Sequence, residues 1–336
     1  MKLTFDEIIS ISDGYTRTEI SEKGLSFFRF SQTSEEGYQE SLPYFANEAF
    51  FDGYFNRNCR TTSGVVLDFL TDSSSLSITL GDYELPNGAS GGRFGLYIDG
   101  KYSACRQATN SLSFRLPAGR EKRVTVYFPL YTFPVIASVE LDDGAHFDKV
   151  PTKGVMVCYG DSITHGGGAN NPGQTWPAIL TRKLGYSLLN QGNSGYVYDA
   201  KVILRPEDAR VQPSFIVAAY GTNDRSRKMP EPLKQDADEF WARMKRLYPK
   251  TPCALILPTW TTYDEMDEWK ERFAACRESL LSIAEKYQIS VYDGLRYIPH
   301  KPNYFADKAV HPNNTGHRLY GTRLYREMAE REPALK

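Results

Sequence analysis

A serine, a glycine and an asparagine each follow a predicted strand after residue 150, and a histidine lies near the C-terminus of the chain. Ser162 comes after the apolar run 155–159, Gly195 after the run 187–189 and Asn223 after the run 215–219, while His311 lies further on. A serine at a strand-to-helix turn can present its hydroxyl to a carbonyl carbon, and a histidine can take its proton. The ordered set predicts acyl transfer, with Ser162 as nucleophile and His311 as base.

Acyl transfer also needs hydrogen-bond donors for the oxygen that becomes negatively charged. The backbone N–H groups of Ser162 and Gly195 and the side-chain amide of Asn223 can supply these donors. Each residue alone is weak evidence, but together they predict an oxyanion hole beside the nucleophile.

The pattern after residue 150 predicts the elements that carry these residues. Continuous apolar runs at 155–159, 187–189, 215–219, 254–257 and 289–292 indicate buried strands, and apolar residues spaced by three or four predict a helix over 264–287. Alternating strands and helices favour a parallel sheet with helices on both faces. Functional residues of such sheets lie at the carboxyl ends of the strands, where this set is found.

The first part of the chain has a different pattern. Short runs that mostly alternate or are β-branched, separated by turn residues, predict strands at 65–70, 75–80, 94–98, 112–116, 123–128 and 136–141. Such spacing is typical of an antiparallel β-sandwich or jelly roll. We therefore predict a β-sandwich accessory domain over 1–150 and a catalytic domain over 151–336.

Composition excludes several classes of function. Forty Lys and Arg against 41 Asp and Glu give a net charge of -1, which does not favour nucleic acid as a partner. The chain has no apolar run of membrane-spanning length, its N-terminus does not read as a signal peptide, and its five scattered cysteines do not form zinc-site or disulfide patterns. We expect a cytoplasmic protein without a membrane, metal or cofactor requirement.

The same segments resemble the sequence blocks of the GDSL, or SGNH, hydrolase superfamily over about residues 153–330. The matching motifs are Gly160-Asp161-Ser162, Gly195, Gly221-x-Asn223-Asp224 and His311-Pro312-Asn313. The resemblance implies a flavodoxin-like three-layer α/β/α fold, in agreement with the pattern of strands and helices. A β-sandwich ahead of this domain further resembles the two-domain carbohydrate acetyl esterases of the superfamily.

Two positions depart from the family pattern or leave a choice. Members with a full triad usually have the acid three residues before the histidine, whereas Asp307 lies four before His311. We predict that Asp307 completes the triad through a bulged loop; the alternative is a Ser–His dyad. Gly192 is an alternative to Gly195 in the oxyanion hole, but the five-residue step from Asn190 favours Gly195.

The resemblance implies a serine esterase that removes small acyl groups, chiefly acetyl, from carbohydrates through an acyl-enzyme intermediate. The expected substrate is an acetylated sugar or oligosaccharide. A lysophospholipase or thioesterase, and a carbohydrate-binding protein without catalysis, are the alternatives. Trp260 is a candidate sugar-stacking residue, although a core tryptophan fits as well, and His165 is a candidate lining residue of the site that can also be structural.

Overall fold

The structure is a computed structural model that describes residues 1–40, 53–85, 92–107, 109–210 and 212–335. The helices are α1 (Phe5–Ser10), α2 (Gln32–Glu40), α3 (Tyr54–Cys59), α4 (Ser162–His165), α5 (Trp176–Leu184), α6 (Thr222–Arg227), α7 (Pro230–Leu247), α8 (Asp267–Lys286) and α9 (Asn314–Arg331). Among the described residues, no helix combines the length and apolar character needed to cross a membrane.

The strands before residue 150 are β1 (Ser12–Asp13), β2 (Arg17–Ser21), β3 (Gly24–Phe28), β4 (Val66–Thr71), β5 (Ser75–Glu84), β6 (Arg93–Ile98), β7 (Lys101–Gln107), β8 (Ser111–Arg115), β9 (Lys122–Tyr127), β10 (Phe133–Leu141) and β11 (Phe147–Lys149). The later strands are β12 (Val155–Gly160), β13 (Ser187–Gly192), β14 (Pro213–Ala219), β15 (Cys253–Leu257) and β16 (Ser290–Asp293). Every strand predicted from the sequence is found.

The later strands form a parallel sheet in the order β13-β12-β14-β15-β16. Alternate residues of β12 face opposite sides, so Val157 and Tyr159 pack with α7 and α8, whereas Met156 and Cys158 pack with α5 and α9. A strand covered on both faces has no polar side, which explains its continuous apolar sequence. The predicted three-layer α/β/α arrangement is confirmed.

The earlier strands form two antiparallel sheets that enclose a second core. One has the order β1-β4-β9-β6-β7 with β11 beside β4, and the other has the order β2-β3-β10-β5-β8. Residues alternate along β5 between buried and partly exposed, and Leu76 and Ile78 meet Leu67 and Val126 of the facing sheet in one apolar cluster. The predicted β-sandwich is therefore confirmed.

A segment between β3 and β4 packs with the parallel sheet. Tyr38 of α2 and Phe55 of α3 contact Tyr196, the residue after Gly195, with ring centroids 4.5 Å and 5.0 Å apart. Arg29, just after β3, is fully buried and donates to the carbonyl of Gly192 at the end of β13. The domain boundary at residue 150 stays a prediction, because part of the first 150 residues belongs to the core of the parallel-sheet region.

Candidate active site

Ser162 lies at the first position of a one-turn helix (α4) that follows the inner strand β12. The Asp161 side chain caps this helix by accepting the N–H of Ile163 at 2.9 Å, which leaves the N–H of Ser162 at the free amino end. Gly160 permits the sharp turn, since a Cβ there would lie 2.0 Å from the Thr164 hydroxyl oxygen. Burial raises the pKa of Asp161 to about 6, so this cap loses its charge in mild acid.

The structure brings Ser162, His311 and Asp307 together in one line of hydrogen bonds. The Ser162 Oγ lies 2.8 Å from His311 Nε2, and His311 Nδ1 lies 2.6 Å from Asp307 Oδ2. This is the geometry in which a carboxylate holds the Nδ1 proton and leaves Nε2 free to take the serine proton.

The loop between Asp307 and His311 accommodates the extra residue as a bulge. Lys308 has a left-handed φ of 64°, and Asp307 Oδ1 accepts the N–H groups of Ala309, Val310 and His311 at 2.9–3.1 Å. Burial alone would raise the pKa of Asp307, but hydrogen bonds from His311 and from the N–H groups of Ala309 and Val310 lower it below its usual value. The geometry thus supports the triad rather than the dyad.

Two glycines of the run 166–168 let this loop approach the nucleophile. A Cβ on Gly167 would lie 2.7 Å from His311 Cδ2 and 2.9 Å from the Ser162 carbonyl oxygen. A Cβ on Gly168 would lie 2.4 Å from the carbonyl oxygen of Pro312. The glycine run therefore serves close packing around the triad.

Gly195 fits the oxyanion hole better than Gly192 does. The Gly192 N–H already donates to Asn190 Oδ1 at 2.8 Å, whereas the described residues place no acceptor within bonding range of the Gly195 N–H. Asn223 Nδ2 donates one hydrogen to the Tyr196 carbonyl at 2.9 Å, which holds the amide next to residues 190–195, the segment that ends at Gly195 and is called the glycine block below. A primary amide has a second N–H to offer a developing oxyanion.

A known protein family matches the part of the chain that contains these residues. Residues 158–319 match the model of the GDSL-like Lipase/Acylhydrolase family. The resemblance to the GDSL hydrolases is confirmed. No curated protein matches the sequence.

Several solved structures share the fold of the parallel-sheet region and of the preceding sandwich. The salicylyl-acyltransferase SsfX3 from a tetracycline biosynthetic pathway aligns with a TM-score of 0.76 and 22% identity, over 100% of this chain and 99% of that one. A putative GDSL-like lipase from Bacteroides ovatus aligns with a TM-score of 0.69 and 20% identity, over 98% and 97% of the two chains. A family two carbohydrate esterase from Clostridium thermocellum, in complex with cellohexaose, aligns with a TM-score of 0.60 and 15% identity, over 81% and 94%.

Two residues predicted from the sequence to contact the substrate are buried in the structure. Trp260 is 3% exposed, donates to Glu265 at 2.8 Å and packs against His300 and Phe305, so its faces are covered by protein. This burial contradicts the predicted sugar-stacking role. The position after strand β15 suggested a site residue, but an aromatic residue there is equally suited to filling the core.

His165 is fully buried, and both of its ring nitrogens are hydrogen-bonded. Nδ1 lies 3.1 Å from Ser194 Oγ, and Nε2 lies 2.9 Å from Thr61 Oγ1 and 3.2 Å from Arg29 Nη2. No polar atom of the ring remains for a substrate, which contradicts the predicted lining role and leaves the structural one.

Arg29 and Tyr131, which no sequence pattern pointed to, reach this site from the antiparallel region. Tyr131 donates to the Ser162 carbonyl at 3.4 Å, and its ring packs on His165 with centroids 4.1 Å apart. Neither residue belongs to a recognisable motif, and their places depend on contacts between distant parts of the chain. Across the described ranges, no group of three or more His, Cys, Asp or Glu side chains is arranged to hold a metal ion.

Proposed function

We propose that this protein is a serine esterase that removes small acyl groups, chiefly acetyl, from carbohydrates. The observation that carries the proposal is the hydrogen-bonded line Ser162–His311–Asp307, with the N–H groups of Ser162 and Gly195 and the amide of Asn223 beside it. These groups are what acyl transfer requires: a nucleophile, a base, an orienting acid and oxyanion donors.

The reaction follows from this arrangement in two halves. Ser162 Oγ attacks the ester carbonyl carbon while His311 Nε2 takes its proton, and the carbonyl oxygen gains negative charge among the three donors. The C–O bond to the sugar then breaks, and His311 returns the proton to the leaving sugar hydroxyl. Water attacks the acyl-serine by the same route, releasing the carboxylic acid and restoring Ser162. Asp307 keeps the Nδ1 proton of His311 in place throughout.

Two observations support a carbohydrate substrate. A family two carbohydrate esterase of the same two-part fold was solved with cellohexaose bound. The loops at the strand ends are rich in Gly, Asn and Thr, and polar donors in a site favour ligands whose hydroxyl groups can pair with them.

Transfer of the acyl group to an alcohol other than water is a second candidate. The alignment with the salicylyl-acyltransferase covers both chains almost completely. Hydrolysis and transfer share the acyl-serine, and they differ only in which hydroxyl attacks it.

Product analysis with ester substrates tests the proposal. We expect acetyl esters of p-nitrophenol to turn over faster than butyryl esters and far faster than octanoyl esters, and acetylated xylo- and cello-oligosaccharides to release acetate. Preference for octanoyl esters without release of acetate from sugars would favour the lysophospholipase or thioesterase alternative. Acetylated glycerol or sugar that accumulates when these alcohols are added would favour the transferase.

A further inference from the structure

A hydrogen-bonded chain connects the Ser162 turn to the glycine block through the antiparallel region. Tyr131, in the turn between β9 and β10, donates to the Ser162 carbonyl at 3.4 Å. Ser194, the residue before Gly195, donates its hydroxyl to the Tyr131 oxygen at 3.0 Å. Both segments that carry oxyanion donors therefore bind the same tyrosine hydroxyl.

The direction of this chain follows from the Ser194 hydroxyl, which donates to Tyr131, while Tyr131 donates to the Ser162 carbonyl. A hydroxyl has a single hydrogen, so His165 Nδ1, 3.1 Å from Ser194 Oγ, is the donor of that pair and carries the proton of the neutral ring. His165 Nε2 is then an acceptor, and it lies 2.9 Å from Thr61 Oγ1 and 3.2 Å from Arg29 Nη2. Burial lowers the pKa of His165 well below its usual value, which keeps the ring neutral.

The arginine end of the chain is fixed to the protein backbone. Arg29 donates to the carbonyl oxygens of Thr61 at 2.9 Å, Asn190 at 2.8 Å and Gly192 at 2.7 Å. Although burial lowers the pKa of Arg29 to about 10, the group remains a cation at neutral pH. The hydrogen-bonded chain thus starts on the strand that leads into the glycine block and ends on the turn that carries Ser162.

We propose that Tyr131 is a positioning residue that sets the spacing between the oxyanion donors of Ser162 and Gly195. Its hydroxyl bonds both the Ser162 carbonyl and Ser194, the residue before Gly195, and its ring is held by packing on His165. Its backbone has a φ of 55°, a conformation that costs a bulky residue on the order of 1 kcal/mol or more and that commonly marks functional positions. The proposal rests on the serine-esterase function proposed above.

Tyr131→Phe tests the proposal, because it removes the bridging hydroxyl and keeps the ring. We expect kcat for an acetyl ester to fall about ten- to a hundredfold, since misplaced transition-state donors have effects of this size, while KM changes less than about twofold. Tyr248→Phe is the matched control. The Tyr248 hydroxyl also donates to a backbone carbonyl, that of Leu204 at 2.9 Å, from a buried site outside the chain of hydrogen bonds. The control should keep the wild-type kcat.

Ser194→Ala gives a second, independent cut of the same chain. If Ser194 and Tyr131 act together, the double variant with Tyr131→Phe loses no more kcat than the more affected single variant. Two unrelated structural roles would multiply, and that result would overturn the proposal. Thermal melting of each variant separates loss of fold from loss of positioning.

Ser162→Ala, assayed beside these variants, separates the two proposals. A wild-type kcat in Tyr131→Phe, while Ser162→Ala is inactive, would overturn the positioning role and leave the esterase function standing. An equal loss in Tyr131→Phe and Tyr248→Phe would also overturn the positioning role. Full activity in Ser162→Ala would overturn the serine-esterase function itself.

Discussion

The nucleophile turn (residues 160–168) and the acid–histidine loop (residues 305–312) meet at one hydrogen bond, yet they are held in different ways. The turn adds bonds from distant groups to the Asp161 cap within it: Tyr131 donates to its Ser162 carbonyl, and Asn190 donates to its Thr164 carbonyl at 2.9 Å. The loop is held mostly from within, because one carboxylate oxygen of Asp307 accepts the N–H groups of the second, third and fourth residues that follow, and the Thr262 N–H adds a bond to the Ala309 carbonyl at 3.1 Å. Long-range contacts and bonds between adjacent residues therefore contribute in different proportions to the two halves of the catalytic geometry.

The carboxylates of the two segments show the same contrast in their pKa. Asp161 is 1% exposed, and burial raises its pKa to about 6. The Asp307 side chain is 39% exposed, and although its partial burial acts to raise the pKa, hydrogen bonds lower it below the usual value. Mild acid therefore neutralises the cap of the turn and leaves the partner of His311 ionised.

Ser162→Ala removes the group at which the two segments meet, and we expect the largest effect from it. Hydrolysis should fall to background, by about 10⁶-fold where a serine nucleophile acts with its triad, because no other hydroxyl takes its place. A phosphonate that reacts with activated serine should label the wild type at Ser162 and leave this variant unlabelled. In Ser187→Ala, which alters a buried serine bonded to Asp13 at the other end of the sheet, labelling should be complete. Labelling of Ser162→Ala at another serine would contradict the assignment.

Asp307→Asn separates orientation of the histidine from the shape of the loop. The amide oxygen can still accept the loop N–H groups, but the amide nitrogen would donate to His311 Nδ1 and place the ring proton on Nε2. We expect kcat to fall by about 10⁴-fold, as when a triad histidine is held in the wrong tautomer. Asp307→Ala should lose activity and also lower the melting temperature more than Asp307→Asn does, since the loop N–H groups lose their acceptor. A loss of less than about tenfold in Asp307→Asn would favour the dyad.

The same contrast explains which features were predictable from sequence. The strands, the predicted helix over 264–287 and the order of site residues follow from local periodicity and from the rule that strand ends converge. The bond between Asp307 and His311 was also predictable, because four residues of chain limit where the carboxylate can lie. These features depend on neighbours in the sequence.

The features that were missed depend on residues far apart in the sequence. Arg29 binds Gly192 across 163 positions, and an arginine among apolar residues gives no sign of this partner. Helix α2 has the polar sequence QTSEEGYQE, and Tyr38 alone among its large side chains enters the core. The position of Trp260 after a strand suggested a binding residue. Its stacking on His300 is a contact with a residue 40 positions away, which sequence patterns do not reveal.

Asp161→Asn tests the buried carboxylate of the turn through the pH dependence of stability. An acid whose pKa is raised by folding stabilises the native state most at low pH, and this contribution is lost as the pH rises from about 4 to 6. Asparagine keeps the acceptor for the Ile163 N–H and has no charge to bury. The variant should match the wild type near pH 4 and unfold less readily above pH 6, by up to about 3 kcal/mol for a two-unit shift.

Melting temperatures of the wild type and Asp161→Asn between pH 4 and 8 measure this difference. Asp307→Asn supplies a control of opposite sign. The pKa of Asp307 is lowered by folding, so its contribution is present at neutral pH and is lost as the pH falls. A difference between Asp161→Asn and the wild type that does not change with pH would mean that Asp161 is not neutralised in this range.

Lys308→Gly tests whether the loop holds its own shape, and we expect the smallest effect from it. The left-handed φ of Lys308 costs a residue with a Cβ roughly 1–2 kcal/mol, and glycine avoids this cost. Glycine also gives the unfolded chain more freedom, which offsets about 0.5–1 kcal/mol of that gain. The stability change should therefore be near zero or slightly favourable, and kcat should stay within about twofold, as for surface substitutions that remove no contact.

Lys308→Val is the matched contrast, because a β-branched residue strongly disfavours this conformation and would pull Asp307 away from His311. We expect lower kcat and a lower melting temperature in Lys308→Val alone. If Lys308→Gly instead lost activity as severely as Lys308→Val, the lysine side chain itself, rather than the bulge that its backbone forms, would be what the acid–histidine loop requires.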